Sequence, residues 1–217
     1  MGRRRALVGT VLVLLFIVAA ACGSGPKTGG GGVVSGVTTS DGDGYAGALL
    51  TRPYVVPEIS LTSTHGPPFS LTRDTAGRLT VVFFGYTRCP DVCQVVMGTI
   101  ASAYARLDKA AKAKVQVAFV TTDPGRDTPT VLRAYLDRLN PAFVGLTGKI
   151  SDIVAAGKPL GVFIQQGHKL PSGGYDVSHT TSVIAIGSRG KAPLVWSATT
   201  SPDQMATDID KLLKKKV

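Results

Sequence analysis

The chain has 217 residues, of which 44% are apolar, and its 24 lysines and arginines exceed its 14 acidic residues to give a net charge of +10. Such a basic balance raises the question of a nucleic-acid partner, but aromatic residues are not interleaved with the basic ones as a nucleic-acid surface requires. We therefore expect no nucleic-acid partner. The four lysines of KLLKKK near the C-terminus are explained by a solvated helix end, whose dipole favours cations.

The first residues predict export. Three arginines, residues 3–5, precede an apolar run of sixteen residues that ends on small side chains immediately before Cys22. A charged start followed by a short apolar run is typical of a secretory signal peptide, and sixteen residues are fewer than the roughly 20 that span a bilayer. We predict that residues 1–21 are a lipoprotein signal peptide and that Cys22 is lipidated. The protein would then be held at the cell membrane on its extracytoplasmic side.

A glycine-rich segment follows the predicted signal peptide. Ten of the 26 glycines lie between Gly23 and Ala48, among scattered Ser, Thr and Asp residues. This composition predicts a flexible linker over residues 22–52. The remaining segment, residues 53–217, has the size of one domain.

Short apolar runs alternate with amphipathic segments along this domain, which predicts an α/β fold. The runs are predominantly apolar, as expected for central strands with both faces covered by helices. The predicted strands are VVFFG at 81–85, VQVAFVTT at 115–122 and SVIAIG at 182–187. The predicted helices cover residues 95–107, 130–139, 151–160 and 202–213. The pieces EISL and PFSL, which precede the first central strand, predict an additional hairpin or edge strands.

Cys89 and Cys93 lie in the stretch YTRCPDVC, where the first central strand leads into a helix. A helix N-terminus favours a thiolate and so lowers the pKa of a cysteine. Residues four apart on a helix share a face, so this spacing predicts both sulfurs on one side of a single turn. A structural disulfide across so short a loop would add little stability.

Two functions remain open for this cysteine pair. Disulfide-exchange motifs more often have two intervening residues, but a pair with three can still act as a catalytic dithiol. The wider spacing also suits a soft metal ion such as Cu(I). From the spacing alone, a metal site and a redox pair are equally supported.

A metal site would need a third ligand, and His179 is the best candidate. It immediately precedes the predicted strand at 182–187, so we expect it at a sheet end where loops meet. Two thiolates with one imidazole suit copper better than structural zinc, which normally has four protein ligands. We predict that His65 and His168 are exposed loop residues and that Met97 fills the core.

The stretch TTDPGRDTP, residues 121–129, follows the second central strand. Asp123 would lie at the end of this strand beside the cysteine loop, where a carboxylate can orient a metal ligand. We predict that Asp127 or Thr128 caps a helix that opens at Pro129.

Three motifs in this order, FFGYTRCPDVC, TTDPGRDTP and YDVSHTTSVIAI, resemble the Sco/SenC family over roughly residues 53–217. The resemblance implies a thioredoxin-like fold, in which helices flank a central mixed sheet, and tethering to a membrane outside the cytoplasm. It implies that copper, as Cu(I) or Cu(II), is bound by Cys89, Cys93 and His179. Asp123 would support this site from outside the ligand set.

The resemblance also implies a metallochaperone. The partner would be cytochrome c oxidase subunit II or another exported cuproprotein. In subunit II, the protein would load the dinuclear copper site with copper or reduce the cysteines of that site. Gln94 and Ser178 depart from the family pattern, which usually has proline and aspartate at these positions. The alternative function is a metal-independent thiol-disulfide oxidoreductase with Cys89 and Cys93 as the catalytic pair.

Overall fold

The structure is a computed structural model and describes residues 44–171 and 175–215. The predicted signal peptide, Cys22 and the predicted linker as far as residue 43 lie outside the described residues. No helix within the described ranges is long and apolar enough to cross a membrane.

The centre of the domain is a mixed sheet. Across it, the strands follow the order β1 (Ala48–Val55), β10 (Lys191–Trp196), β9 (Val183–Ile186), β4 (Leu79–Gly85), β5 (Val115–Thr121), β6 (Val144–Thr147), β2 (Ser60–Ser63) and β3 (Phe69–Ser70). Strands β7 (Ile164–Lys169) and β8 (Tyr175–His179) pair with each other as a separate antiparallel hairpin.

Helices cover both faces of the sheet. They are α1 (Val92–Arg106), α2 (Lys109–Lys112), α3 (Pro129–Asp137), α4 (Ile150–Gly157), which a 3-10 turn at Lys158–Leu160 continues, and α5 (Pro202–Lys215). Alternate residues of β4 point to opposite faces, so Phe83 packs in one core with α1, α3 and α5, while Phe84 packs in a second core with α4. All seven residues of β4 are buried, as the apolar run at 81–85 predicts. The predicted α/β fold class is confirmed.

The directions of the two strands beside β4 determine which segments of the chain lie at the end of β4. Strand β5 runs parallel to β4, whereas β9 runs antiparallel, with Phe83 opposite Val183. The chain therefore enters β9 at the same end of the sheet where it leaves β4. The cysteine loop after β4 and the segment before β9 are brought together by this arrangement.

The three central strands and the four helices predicted from the sequence are present, with ends that differ by up to three residues. The predicted hairpin is also present: β2 pairs with β3, with Leu61 opposite Phe69, and β2 joins the main sheet through β6.

The predicted boundary between linker and domain is wrong. Residues 48–52, which we assigned to the linker, belong to β1, where Ala48 lies opposite Val195 of β10. Just before this strand, the backbone N–H groups of Ala46 and Gly47 donate hydrogen bonds to the buried Asp208 carboxylate, at 3.0 and 2.8 Å from Oδ2. The chain joins the domain early because β1 covers an edge of β10 that would otherwise be unpaired.

Gly85, the last residue of β4, has no room for a side chain. A Cβ atom here would lie 2.9 Å from the ring of Phe83 and 3.2 Å from the sulfur of Cys93. Gly98, in the middle of α1, is the opposite case, because a Cβ atom there would have no neighbour within 4 Å. The two glycines therefore allow one substitution to be compared in a tight and an open environment.

We predict that Gly85→Ala lowers the free energy of unfolding by about 1–3 kcal/mol, because Phe83 or Cys93 must shift to admit the methyl group. The matched control Gly98→Ala should raise it by up to about 1 kcal/mol, because alanine is the better helix former. Urea unfolding followed by circular dichroism measures both values. Equal stability of the two variants would contradict the packing described here.

Candidate metal centre

The cysteine loop connects β4 to α1. After Gly85 the chain turns through residues 86–89, and a hydrogen bond from the Cys89 N–H to the Tyr86 carbonyl, 3.2 Å long, closes the turn. Helix α1 then begins at Val92, with Asp91 at the N-cap position. Cys93 therefore lies in the first helical turn, and Cys89 lies before the helix.

The expectation that both sulfurs sit on one helical turn is wrong. Cys89 precedes Pro90, and a residue before proline is disfavoured in the helical region of backbone space. As a result the two thiols differ in environment, since Cys93 is fully buried and Cys89 is half-buried.

The two thiols nevertheless interact. Burial, and after it a hydrogen bond with the Cys89 side chain, raise the pKa of Cys93 to about 12. We expected the helix N-terminus to lower the pKa, but for Cys93 the loss of solvation is the larger effect. The Cys93 thiol is therefore protonated at neutral pH, and both metal binding and disulfide formation must remove this proton.

His179 contacts Cys93 across 86 positions of sequence. Its Nε2 atom is 3.6 Å from the Cys93 sulfur, and its Nδ1 atom is 3.0 Å from the Thr180 carbonyl oxygen. Because a carbonyl can only accept, Nδ1 carries the proton and the lone pair of Nε2 faces the thiol. Burial lowers the pKa of His179, an effect that the Thr180 carbonyl partly offsets. The imidazole is thus neutral at pH 7, the form that binds metals.

Aromatic residues of β4 and of the cysteine loop hold the histidine ring. Phe83 and Tyr86 both present an edge-to-face contact to the ring, with centroids 6.3 and 6.0 Å away. His179 is the last residue of β8, and β9 begins four residues later at Val183. The histidine therefore lies at the sheet end where the sequence predicts it.

The sequence-predicted ligands come together in pairs: Cys93 contacts both Cys89 and His179. In the part of the chain that the structure describes, no group of three or more His, Cys, Asp and Glu side chains is arranged to hold a metal ion as it stands. Met97 is fully buried in the core, as predicted. His65 and His168 are both exposed, but only His65 is in a turn, since His168 belongs to β7.

Asp123 lies at the end of β5, as the sequence predicts, with 1% of its surface exposed. Its partner is Arg126, with which it forms an ion pair. The guanidinium group of Arg126 in turn lies over the Tyr86 ring, 6.0 Å from its centroid, and Tyr86 contacts His179. Asp123 is therefore connected to the histidine through two intervening side chains.

The sequence analysis missed the role of Asp127. The helix cap that we assigned to Asp127 or Thr128 belongs to Thr128, whose hydroxyl accepts from the Val131 N–H. Asp127 is buried and instead accepts hydrogen bonds from Thr87 in the cysteine loop and from Thr121 of β5. No sequence signal separates the two roles, because both place an acidic residue just before a helix.

Comparisons with known proteins identify relatives of this chain. The SCO1/SenC family model matches residues 48–214. A protein of Stutzerimonas stutzeri, named as a candidate copper-binding protein, is 32% identical over 142 residues, which are 65% of this chain and 69% of that protein. The mitochondrial SCO1 and SCO2 relatives are longer, and the matched segment spans half or less of their length.

Solved structures support the same assignment. The solution structure of apo Sco1 from Thermus thermophilus has a TM-score of 0.70 and 31% identity, and covers 82% of this chain and 99% of that one. The structure of copper-bound ScoI from Bradyrhizobium japonicum has a TM-score of 0.65 and 26% identity, and covers 73% of this chain and 99% of that one. These neighbours also confirm the thioredoxin-like fold. Because the family model spans most of the chain, this protein belongs to the SCO1/SenC family.

Proposed function

We propose that this protein is a membrane-anchored, extracytoplasmic copper-binding protein that holds copper with Cys89, Cys93 and His179. The observation that carries the proposal is the 3.6 Å approach of the His179 Nε2 atom to the Cys93 sulfur. The copper bound to a family member of known structure, and the relative named as a candidate copper-binding protein, support the choice of metal.

The donor set fits copper as cargo. Thiolates and imidazole are the ligands that Cu(I) prefers, and the Thr180 carbonyl fixes the histidine tautomer that leaves Nε2 free. Cys93 contributes its sulfur after losing its proton. The proposal requires that the half-buried Cys89 side chain join the other two donors when copper binds.

Three protein ligands suit transfer as well as binding. They leave a fourth position open, so that a thiolate of the receiving protein can bind before the donor ligands release the metal. We propose that the receiving protein is cytochrome c oxidase subunit II or another exported cuproprotein. In subunit II, the protein would deliver copper to the dinuclear copper site or reduce the cysteines of that site. The proposed anchor is a lipid on Cys22, which becomes the first residue once residues 1–21 are removed.

The cysteine pair also favours a second function, a metal-independent thiol-disulfide oxidoreductase. Cys89 is accessible while Cys93 is buried beside it, which is the arrangement of an attacking thiol and a resolving thiol. In that function His179 would be dispensable.

Copper titration of the full-length protein, reduced and kept under anaerobic conditions, tests the proposal. We expect an equimolar complex that is lost in Cys89→Ser and weakened in His179→Ala, because each change removes a ligand. His168→Ala is the matched control, since that histidine is exposed on β7, and it should bind like the wild type. Unchanged copper binding in His179→Ala would favour the oxidoreductase.

The raised pKa of Cys93 predicts how the metal-free, reduced protein reacts with iodoacetamide. Only the thiolate reacts, so at pH 8 we expect Cys93 to remain unmodified, whereas the more exposed Cys89 is alkylated. The rate at Cys93 should keep rising well above pH 9, because its pKa is about 12. Mass spectrometry of timed samples measures both rates.

The same reaction in urea provides the control, because unfolding removes the burial and returns Cys93 to an ordinary cysteine pKa of about 8.5. If Cys93 of the folded protein reacted as fast at pH 8 as it does in urea, the described burial of this thiol would be wrong.

A further inference from the structure

We infer that Asp127 is a positioning residue that holds Cys89 ready for copper through its hydrogen bonds to Thr87. The inference rests on the proposed copper-binding function and identifies which part of the fold supports its accessible ligand. The two cysteines need different support. Cys93 is held by helix α1 and the core around it, whereas Cys89 lies in a turn and is half-buried.

Thr87 is the second residue of the turn that carries Cys89, the turn closed by the hydrogen bond from Cys89 to Tyr86. Both polar donors of Thr87 are directed at one carboxylate. Its backbone N–H is 2.9 Å from Oδ2 of Asp127, and its hydroxyl is 2.6 Å from Oδ1. Two bonds from one residue to the two oxygens of a planar group restrict both the position and the rotation of the turn.

The carboxylate is itself fixed to the sheet. The Thr121 hydroxyl donates to Oδ2 at 2.7 Å, and the Asp127 N–H donates to the Asp123 carbonyl at 3.0 Å. Asp127 is only 1% exposed, so these hydrogen bonds form away from water. Hydrogen bonds to an ionised group are stronger than neutral ones, and a low local dielectric strengthens them further. The turn is therefore tied to β5 by a rigid, buried group.

Asp123 has a different partner. Its side-chain ion pair is with Arg126, whose guanidinium group packs on the Tyr86 ring beside His179. Asp127 and Arg126 lie in one loop but support different ligands. Asp127 holds the turn that carries Cys89, whereas Arg126 packs on Tyr86, which contacts the His179 ring. The acidic residue that supports Cys89 is Asp127.

The expected consequence concerns copper affinity. A turn that is already fixed leaves only side-chain rotation to be ordered when Cys89 binds the metal, whereas a loose turn would also lose backbone entropy. Groups that orient metal ligands in this way typically account for about 10- to 100-fold in metal affinity.

The test compares variants of the full-length, reduced protein. Thr87→Val keeps the shape of the side chain but removes its hydroxyl, Thr87→Ser restores the hydroxyl, and Thr128→Ala removes the cap of the neighbouring helix without touching the turn. Cu(I) affinity is measured by competition with a chromophoric chelator. Hydrogen–deuterium exchange of the metal-free protein reports the backbone of residues 86–89.

We expect Thr87→Val to bind Cu(I) about tenfold more weakly and to exchange faster at residues 86–89. Thr87→Ser should behave like the wild type, and Thr128→Ala should lower stability but keep wild-type affinity and exchange in the turn. Asp127→Asn, which can no longer accept at both oxygen positions, should weaken Cu(I) binding in the same direction as Thr87→Val.

Wild-type affinity in Thr87→Val, or a loss no larger than that in Thr128→Ala, would overturn the inference. A wild-type protein that binds no copper would instead refute the proposed function. The exchange measurement would then decide the role of Asp127 alone: unchanged exchange in Thr87→Val would overturn it, and faster exchange would uphold the fixed turn.

Discussion

The contact between the Cys93 thiol and the His179 imidazole depends on the direction of the strand beside β4. Because β9 runs antiparallel to β4, the chain approaches it from the end of the sheet where β4 releases the cysteine loop. A parallel strand in that position would place the preceding residues, including His179, at the opposite end. This contact is therefore a consequence of one strand pairing, and Phe83 and Tyr86 add the contacts that orient the histidine ring.

Much of the fold could be predicted because burial on both faces leaves a clear pattern in the sequence. Strands β4, β5 and β9 are predominantly apolar, and their boundaries were predicted to within two residues. Strand β10 contains Lys191 and Pro193, and β8 is polar, so neither shows such a pattern. These strands form because neighbouring strands pair with them, a property that local sequence does not record.

The candidate site, like the fold, could be predicted from the sequence only in part. Residue types and spacing predicted Cys89, Cys93 and His179 as candidate ligands, but not how differently the two thiols are surrounded. Pro90 displaces Cys89 from the helix, and complete burial moves the pKa of Cys93 in the direction opposite to the one expected from its helix position. Both effects depend on three-dimensional packing, as does the choice of Asp127 over Asp123 as the acceptor for the cysteine turn.

X-ray absorption spectroscopy of the copper-loaded, full-length protein would test most directly whether these three side chains act as one site. We expect a copper ion with two sulfur neighbours and one imidazole nitrogen, and the loss of the imidazole signal in His179→Ala with both sulfurs retained. A spectrum with sulfur ligands alone, identical in the wild type and in His179→Ala, would contradict this three-ligand site.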